Sequence, residues 1–288
     1  MTTRTVTGIW PARPTLEGAG VRLHRAFGFD EAPGLDPFLL LDDFGSADPS
    51  DYLAGFPWHP HRGIETVTYL LRGTVEHGDS LGHGGSIGPG DVQWMTAGSG
   101  IVHQEMPQAP PDRVLRGFQL WVNLPRERKM TDPRYRGHVA AEIPDAQLGR
   151  GVTAKVIAGE AGGVRGPVRD LHVDVRYLDV AAAPGARIEL DVPPGHRCLA
   201  YVVEAEGRFG ATGATAAAGS LVLFEGAGAV AAEAGGSGCR FLLVSGEPLG
   251  EPVAWHGPIV MNTEEELEEA FREYRAGTFI KKGKHPAD

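Results

Sequence analysis

Short apolar runs alternate with Gly- and Asp-containing turns over most of the chain. The first clear runs lie between residues 64 and 124, and they read ETVTYLL, TVEHGD, VQWM, GIVHQEM and GFQLWVNL. In the last of these, Phe118, Leu120 and Val122 alternate with more polar side chains, which predicts a half-buried strand. Short strands at regular spacing are typical of a β-sandwich or β-barrel.

A second set of strand-like runs begins after a loop-rich stretch over residues 141–168, which holds one predicted strand, VTAKVI. Placing Tyr69 beside Tyr201, an offset of 132, also brings Gly90 within three residues of the position that matches Gly219. This offset predicts a diverged internal duplication, with one domain over residues 1–140 and a second over residues 141–288.

The C-terminal sequence NTEEELEEAFREYRAGTF predicts a helix. Thr263 and Glu266 have the spacing of a capping box, and apolar residues from Leu267 to Tyr274 share one helical face. Gly277 is the expected stop. We expect this helix to pack on the body of the protein.

Composition supports an all-β protein, because 41 Gly and 22 Pro residues separate many short β-branched runs in a chain of 288 residues. A formal net charge of −10 argues against direct binding to nucleic acid, which requires a basic surface. No apolar run approaches the ~20 residues of a membrane span, so we expect a soluble, cytoplasmic protein. Cys198 and Cys239 are expected to be two buried thiols.

Residue types that bind metals are concentrated in two stretches, HPHRGIE and HQE. In a regular extended strand, side chains an even number of residues apart share a side, so His59, His61 and Glu65 are expected to converge. The same rule joins His103 to Glu105. Imidazole and carboxylate groups together suit Fe(II), Mn(II), Ni(II) or Zn(II), so the pattern predicts a metal site with open coordination positions.

The second half has no histidine at the matching positions. At the offset of 132, Asp191, Pro193 and Arg197 face His59, His61 and Glu65. With the three-residue gap allowed for, Ala232 and Ala234 fall near His103 and Glu105. We therefore expect the second domain to keep the scaffold without the site.

Two longer motifs, HPHRGIETVTYLLRG and PGDVQWMTAGSGIVHQE, resemble the pirin family within the cupin superfamily. The sequence EPVAWHGPIVMNTEEELEEAFREYRAG resembles the C-terminal signature of the same family, so the likeness covers nearly the whole chain. The resemblance implies an all-β fold of two tandem cupin barrels (double-stranded β-helix, or jelly-roll) with a short C-terminal helix. It also implies a monomer.

The resemblance further implies one mononuclear metal, usually iron, held in the N-terminal barrel by His59, His61, His103 and Glu105. Mn, Ni, Zn and Cu remain open as alternatives to Fe(2+). Glu65 occupies the position that many other cupins use for a glutamate ligand, and we expect it to support the site without binding the ion.

Quercetin 2,3-dioxygenase activity is attributed to pirins, so the resemblance implies an oxygenase that acts on flavonols, with Glu105 as the catalytic base. The alternative that it implies is a non-enzymatic, iron- and redox-responsive regulator that binds protein partners, as a transcription cofactor or a regulator of metabolic enzymes. A zinc isomerase of the cupin type is a third reading, but the sequence has no sugar-phosphate clamp that we can identify.

Two groups of residues keep more than one interpretation. Phe56, Trp58, Met95, Met106 and the loop over residues 107–113 either line the mouth of a pocket or belong to the core.

Arg62 either orients an anionic substrate or pairs with Asp42 or Asp43. His77 and His83 lie in a turn-rich stretch, where we expect solvated surface roles.

Overall fold

The computed structural model describes residues 2–283, and it consists almost entirely of β-strands. The strands of the first half are β1 (Thr5–Pro11), β2 (Arg13–Glu17), β3 (Val21–Phe27), β4 (Phe38–Ser46), β5 (Phe56–His61), β6 (Ile64–Arg72), β7 (Thr74–Asp79), β8 (Gly84–Ile87), β9 (Val92–Thr96), β10 (Ile101–Gln108), β11 (Leu115–Asn123) and β12 (Arg134–His138). Those of the second half are β13 (Asp145–Gly149), β14 (Val152–Ala158), β15 (Glu160–Ala161), β16 (Val164–Arg165), β17 (Val175–Ala182), β18 (Arg187–Leu190), β19 (Arg197–Phe209), β20 (Ala214–Ala217), β21 (Ser220–Glu225), β22 (Val230–Gly246), β23 (Ala254–His256) and β24 (Ile259–Met261). Short 3₁₀ turns occupy Ala32–Gly34, Pro49–Asp51, Arg126–Arg128 and Ala140–Glu142, and the α-helix α1 is Glu264–Arg275.

The described chain forms two compact domains, and its two ends are exchanged between them: the N-terminal strand belongs to the C-terminal domain, and the C-terminal segment belongs to the N-terminal domain. The N-terminal domain comprises residues 14–34, 38–140 and 249–283, and the C-terminal domain comprises residues 2–13, 35–37 and 141–248. This differs from a simple division at residue 140, because β1 pairs with β21 of the C-terminal domain while α1 packs within the N-terminal domain. The pairing of β1 and the packing of α1 therefore place each of these two elements in the domain that lies farther away along the sequence.

The N-terminal domain contains two antiparallel sheets. One has seven strands in the order β12-β9-β6-β11-β4-β3-β2, and the other has four in the order β5-β10-β7-β8. The predicted alternation along β11 is confirmed, since Phe118, Leu120 and Val122 are fully buried, whereas Gln119 and Trp121 face a cavity. The all-β prediction with a short C-terminal helix is confirmed as well.

The C-terminal domain is built on one large sheet, in the order β1-β21-β19-β22-β17-β14-β13, with β18 on β22 and β20 on β19. Tyr201 pairs with Leu221 as Tyr69 pairs with Val92 in the N-terminal domain, which agrees with the predicted duplication.

The interior of the C-terminal domain is filled with apolar side chains. Ala232 and Ala234 lie in this buried cluster with Phe209 and Phe241. Cys239 belongs to the same cluster, and both cysteines are free and buried, as predicted.

The turn between β5 and β6 is packed tightly against the C-terminal segment. Gly63 has φ +78, and a Cβ at this position would lie 1.9 Å from the carbonyl oxygen of Val260. The buried Lys129 ammonium donates to the carbonyl oxygens of Gly63 (2.9 Å) and Val260 (3.0 Å) and to Asn123 Oδ1 (2.7 Å). A single side chain therefore joins the end of β5 to β24.

Helix α1 begins with the predicted capping box, in which Thr263 and Glu266 bond reciprocally, and it buries Leu267 and Ala270. The described residues include no helix long and apolar enough to cross a membrane.

The Arg62 side chain makes a further link between the end of β5 and the C-terminal segment. Its Nη2 lies 2.7 Å from Glu273 Oε2 and donates to the carbonyl oxygen of Phe279, and the guanidinium stacks over the Phe279 ring. Both expectations for Arg62 are therefore wrong. The side chain is only 2% exposed, so it does not reach a substrate, and its acidic partner is neither Asp42 nor Asp43.

We predict that Lys129→Met will destabilise the N-terminal domain by about 3 kcal/mol, because it leaves buried carbonyl acceptors without donors. The measurement is urea unfolding followed by tryptophan fluorescence. Lys282→Met, at an exposed position of the same domain, is the matched control and is expected to unfold like the wild type. Equal midpoints for both variants would contradict a structural role for Lys129.

Candidate metal centre

Three histidines meet where β5 pairs with β10. Because His59 lies directly opposite His103 and His61 is two residues further along β5, all three imidazoles point to the same face. One nitrogen from each ring lies within 4.8 Å of the others, and the ring centroids are separated by 4.4 to 5.0 Å. The spacing of HPH predicted correctly that His59 and His61 share a side, and the pairing of β5 with β10 brings His103 to them, as the family resemblance implied.

Backbone carbonyls fix the orientation of two of the rings. His59 Nδ1 lies 2.8 Å from the Pro57 oxygen, and His61 Nδ1 lies 3.2 Å from the Pro258 oxygen. A carbonyl only accepts, so each Nδ1 carries the proton and each Nε2 keeps a lone pair for a ligand. Pro258 belongs to the C-terminal segment, so that segment orients His61 directly.

His103 shows most clearly that these residues fit a metal ion. Its side chain is buried, and neither ring nitrogen has a hydrogen-bond partner among residues 2–283. Buried polar atoms without partners are costly and rare in folded proteins. A cation bound by the three imidazoles would give a partner to one of the two His103 nitrogens and so reduce this cost, because imidazole nitrogen is a good donor to divalent transition metals.

The charge state of the rings suits the same role. Burial lowers the pKa of His61 and His103 well below the usual 6.5, and repulsion from the neighbouring imidazoles lowers it further. Burial also lowers the pKa of His59. The three rings are therefore neutral at pH 7 and need not lose a proton to bind an ion.

Glu105 lies in the same cavity as His59 and His61, but its carboxylate has other partners. Thr68 Oγ1 donates to its Oε1 at 2.8 Å, and Gln119 Nε2 donates to its Oε2 at 3.1 Å. Among the described residues, the three histidines form a group of mutually close donor atoms, and Glu105 is not part of that group. Burial raises the pKa of Glu105, although these two hydrogen bonds oppose the shift.

Glu65 does not converge with His59 and His61 as the strand periodicity predicted. The turn at Gly63 ends β5, and Glu65 lies on β6 in the other sheet. Its buried carboxylate accepts from Trp94 Nε1, from Thr96 Oγ1 and from Arg136 Nη2. The periodicity argument assumed one regular strand, and the chain makes two.

His77 and His83 lie outside this cavity. The Tyr135 hydroxyl is 2.7 Å from His77 Nε2, and the two rings stack. His83 Nδ1 is 3.1 Å from Asp79 Oδ2, and the His83 side chain is about half exposed.

His59 and His61 open into a cavity of about 560 Å³ in the N-terminal domain. Among the residues expected either at its mouth or in the core, Phe56 and Pro107 line the wall, Trp58 and Met106 do not, and Met95 is fully buried in the core.

Sequence reasoning missed several residues of this wall, among them Phe29, Trp121 and Trp255. Trp121 packs edge-on against His61 at 5.1 Å between ring centroids. Its alternation with the buried residues of β11 was a usable signal, whereas no local pattern connects Trp255 to this site.

Comparison with known proteins gives matches along most of the chain. The Pirin model matches residues 20–122, and the model described as the Pirin C-terminal cupin domain matches residues 177–280. A pirin-like protein of Caulobacter vibrioides is 46% identical over 280 residues, which cover 97% of this chain and 100% of that protein. Human pirin is 41% identical over 268 residues, with 92% and 90% of the two chains covered.

A crystal structure of quercetin 2,3-dioxygenase from Acinetobacter baumannii superposes with a TM-score of 0.89 at 34% identity, covering 96% of this chain and 99% of that chain. The predicted fold of two tandem cupin barrels is confirmed.

We predict that His103→Ala will remove most of the bound metal, because the remaining imidazoles cannot replace the lost donor. The measurement is elemental analysis of untagged protein purified without added metal, for which we expect about one ion per wild-type chain. His83→Ala, outside the cavity, is the control and should keep the wild-type content. Equal metal content in both variants would place the ion elsewhere.

We also predict that the metal-free protein will lose stability below about pH 6.5. The unfolded chain binds protons at histidines that remain neutral when buried, so falling pH favours unfolding by up to about 1.4 kcal/mol per pH unit for each such residue. Urea unfolding at pH 7.5 and pH 5.5 measures the change. His103→Gln should show a smaller change than the wild type, since one of these groups is gone, and identical changes would argue against a neutral buried His103.

Proposed function

The chain belongs to the pirin family, and on that premise we propose that it is a mononuclear metal enzyme that cleaves flavonols with dioxygen, a quercetin 2,3-dioxygenase. The observation that carries the proposal is the cluster of three neutral imidazoles, of which His61 and His103 are buried, beside a cavity that His59 and His61 line. The likeness to the Acinetobacter enzyme over nearly the full length supports it.

In this proposal His59, His61 and His103 hold the ion, and Glu105 is the fourth ligand. We propose iron(II) as the resident metal, although the donor set also accommodates Mn, Ni, Zn or Cu. When bound, the ion lowers the pKa of the flavonol 3-hydroxyl group and makes the flavonolate reactive toward dioxygen.

Glu105 is the residue of this chain that takes the proton from the 3-hydroxyl group. Burial raises the pKa of its carboxyl group in the metal-free protein, and a carboxylate that loosens from the ion can accept the proton as a base. Thr68 and Gln119 hold the carboxylate through one hydrogen bond to each oxygen, which limits its rotation. The acid formed by this transfer can return the proton to the product.

The overall reaction needs no additional reductant. Both atoms of dioxygen enter the ring-opened ester, and one carbon of the heterocycle leaves as carbon monoxide. The cavity suits such a substrate, because five aromatic side chains line it and its volume of about 560 Å³ is in the range of small-molecule sites.

We predict that Glu105→Gln will lower kcat for a flavonol by about 100-fold, the lower end of the contribution of a general base. The measurement is oxygen uptake with a panel of flavonols, with metal content determined on the same samples. Glu76→Gln, at an exposed position on β7, is the control and should turn over like the wild type.

Unchanged turnover in Glu105→Gln, or flavonol consumption without oxygen, would contradict the proposal. A metal-loaded wild type that takes up no oxygen with any flavonol would instead favour the regulatory function, in which a protein partner recognises the metal-bound form.

A further inference from the structure

A row of polar side chains crosses one wall of the cavity. In the seven-stranded sheet, β6, β11, β4 and β3 are successive neighbours, and Thr68 pairs with Gln119, Gln119 with Asp42, and Asp42 with Arg25. Directly paired residues in an antiparallel sheet point to the same face. All four side chains line the cavity, and we call them the polar row.

The polar row connects two acidic groups. At one end Thr68 and Gln119 hold Glu105 near the histidines. At the other end Arg25 Nε and Nη2 donate to the two oxygens of Asp42, each at 2.8 Å, and Arg25 Nη1 lies 2.8 Å from Glu17 Oε1. The row therefore extends from the metal centre to a charged cluster formed by Arg25, Asp42 and Glu17.

The charge of this cluster decides which ligands it accepts. One guanidinium faces two carboxylates, and each of its three nitrogens is engaged by a carboxylate oxygen. The cluster is therefore net negative, so it repels carboxylate, phosphate or sulfate groups. Its carboxylate oxygens retain lone pairs that accept hydrogen bonds from hydroxyl groups.

The length of the row matches a flat ligand of about three rings. Neighbouring strands are about 4.8 Å apart, so the three steps from Thr68 to Arg25 span roughly 14 Å. Apolar side chains flank the row in the same cavity, among them Leu23, Leu40 and Trp121. A ligand of this kind would place its ring faces on apolar groups and its hydroxyl groups on the row.

We propose that the polar row determines substrate specificity, with Glu17 and Asp42 accepting hydroxyl groups on the pendant ring of a flat polyhydroxylated aromatic substrate. This inference rests on the proposed function, which places the 3-hydroxyl group at the histidines. The net negative cluster excludes substrates that carry an anionic group on the same ring. Glu17 is the accessible member, since its side chain is 41% exposed whereas that of Asp42 is 7% exposed.

The test compares two flavonols that differ only in the two adjacent hydroxyl groups of the pendant ring. Their Kd values are measured by tryptophan quenching in metal-free protein, and kcat and KM by oxygen uptake in metal-loaded protein. We expect the wild type to bind the dihydroxylated compound at least about tenfold more tightly, as a single hydrogen bond to a charged group would give. Glu17→Ala and Asp42→Asn should each reduce this ratio toward one, and the exposed control Glu76→Ala should keep it.

The outcomes separate this inference from the proposed function. Equal Kd values for the two flavonols in the wild type, or an undiminished ratio in both row variants, would overturn the role of the polar row even if oxygen uptake is observed. Discrimination that depends on Glu17 in metal-free protein, without oxygen uptake by the loaded protein, would support the row and overturn the oxygenase. If Asp42→Asn does not fold, Glu17→Ala decides the question alone.

Discussion

The register between β5 and β10 is the constraint on which the candidate site depends. It places His59 opposite His103, with His61 two residues away on the same face. A slip of one residue would turn one strand's histidines to the opposite side of the sheet. Three contacts from elsewhere in the domain fix the end of β5: Lys129 on the Gly63 carbonyl, Glu273 on Arg62, and the Pro258 carbonyl on His61. These three contacts thus stabilise the geometry of the imidazole donors.

Local patterns in the sequence predicted the parts of the site that lie on single strands. The pairs HPH and HQE follow the two-residue period, and the alternation along β11 identified the face that carries Gln119 and Trp121. The same period placed Glu65 wrongly, because the turn at Gly63, which has a positive φ, separates β5 from β6. The position of Arg25 beside Asp42 depends on the pairing between β3 and β4, and the sequence of either strand alone does not predict that register. The exchange of the chain ends between the domains likewise depends on contacts between residues far apart in sequence, which local patterns do not predict.

The interiors of the two domains are filled in different ways. In the C-terminal domain β18 pairs with β22 through Ile188 and Ala232, and both are buried in a continuous apolar cluster. In the N-terminal domain the comparable interior keeps imidazoles, a carboxylate and an open cavity of about 560 Å³. An apolar interior gains free energy from burial, whereas a polar cavity forgoes part of that gain. Among the described residues of the C-terminal domain there is no comparable group of close metal-binding side chains.

The exchange of the chain ends also sets an order of events during synthesis. The histidine-bearing strands are made well before the segment that orients His61 and pairs with Arg62, because 197 residues separate His61 from Pro258. Nascent chains emerge from the N-terminus at about 5–20 residues per second, so most of the chain is exposed before the first domain can be completed. The domain that is encoded first is therefore finished last, and a chain that stops short of residue 249 lacks the groups that position its histidines.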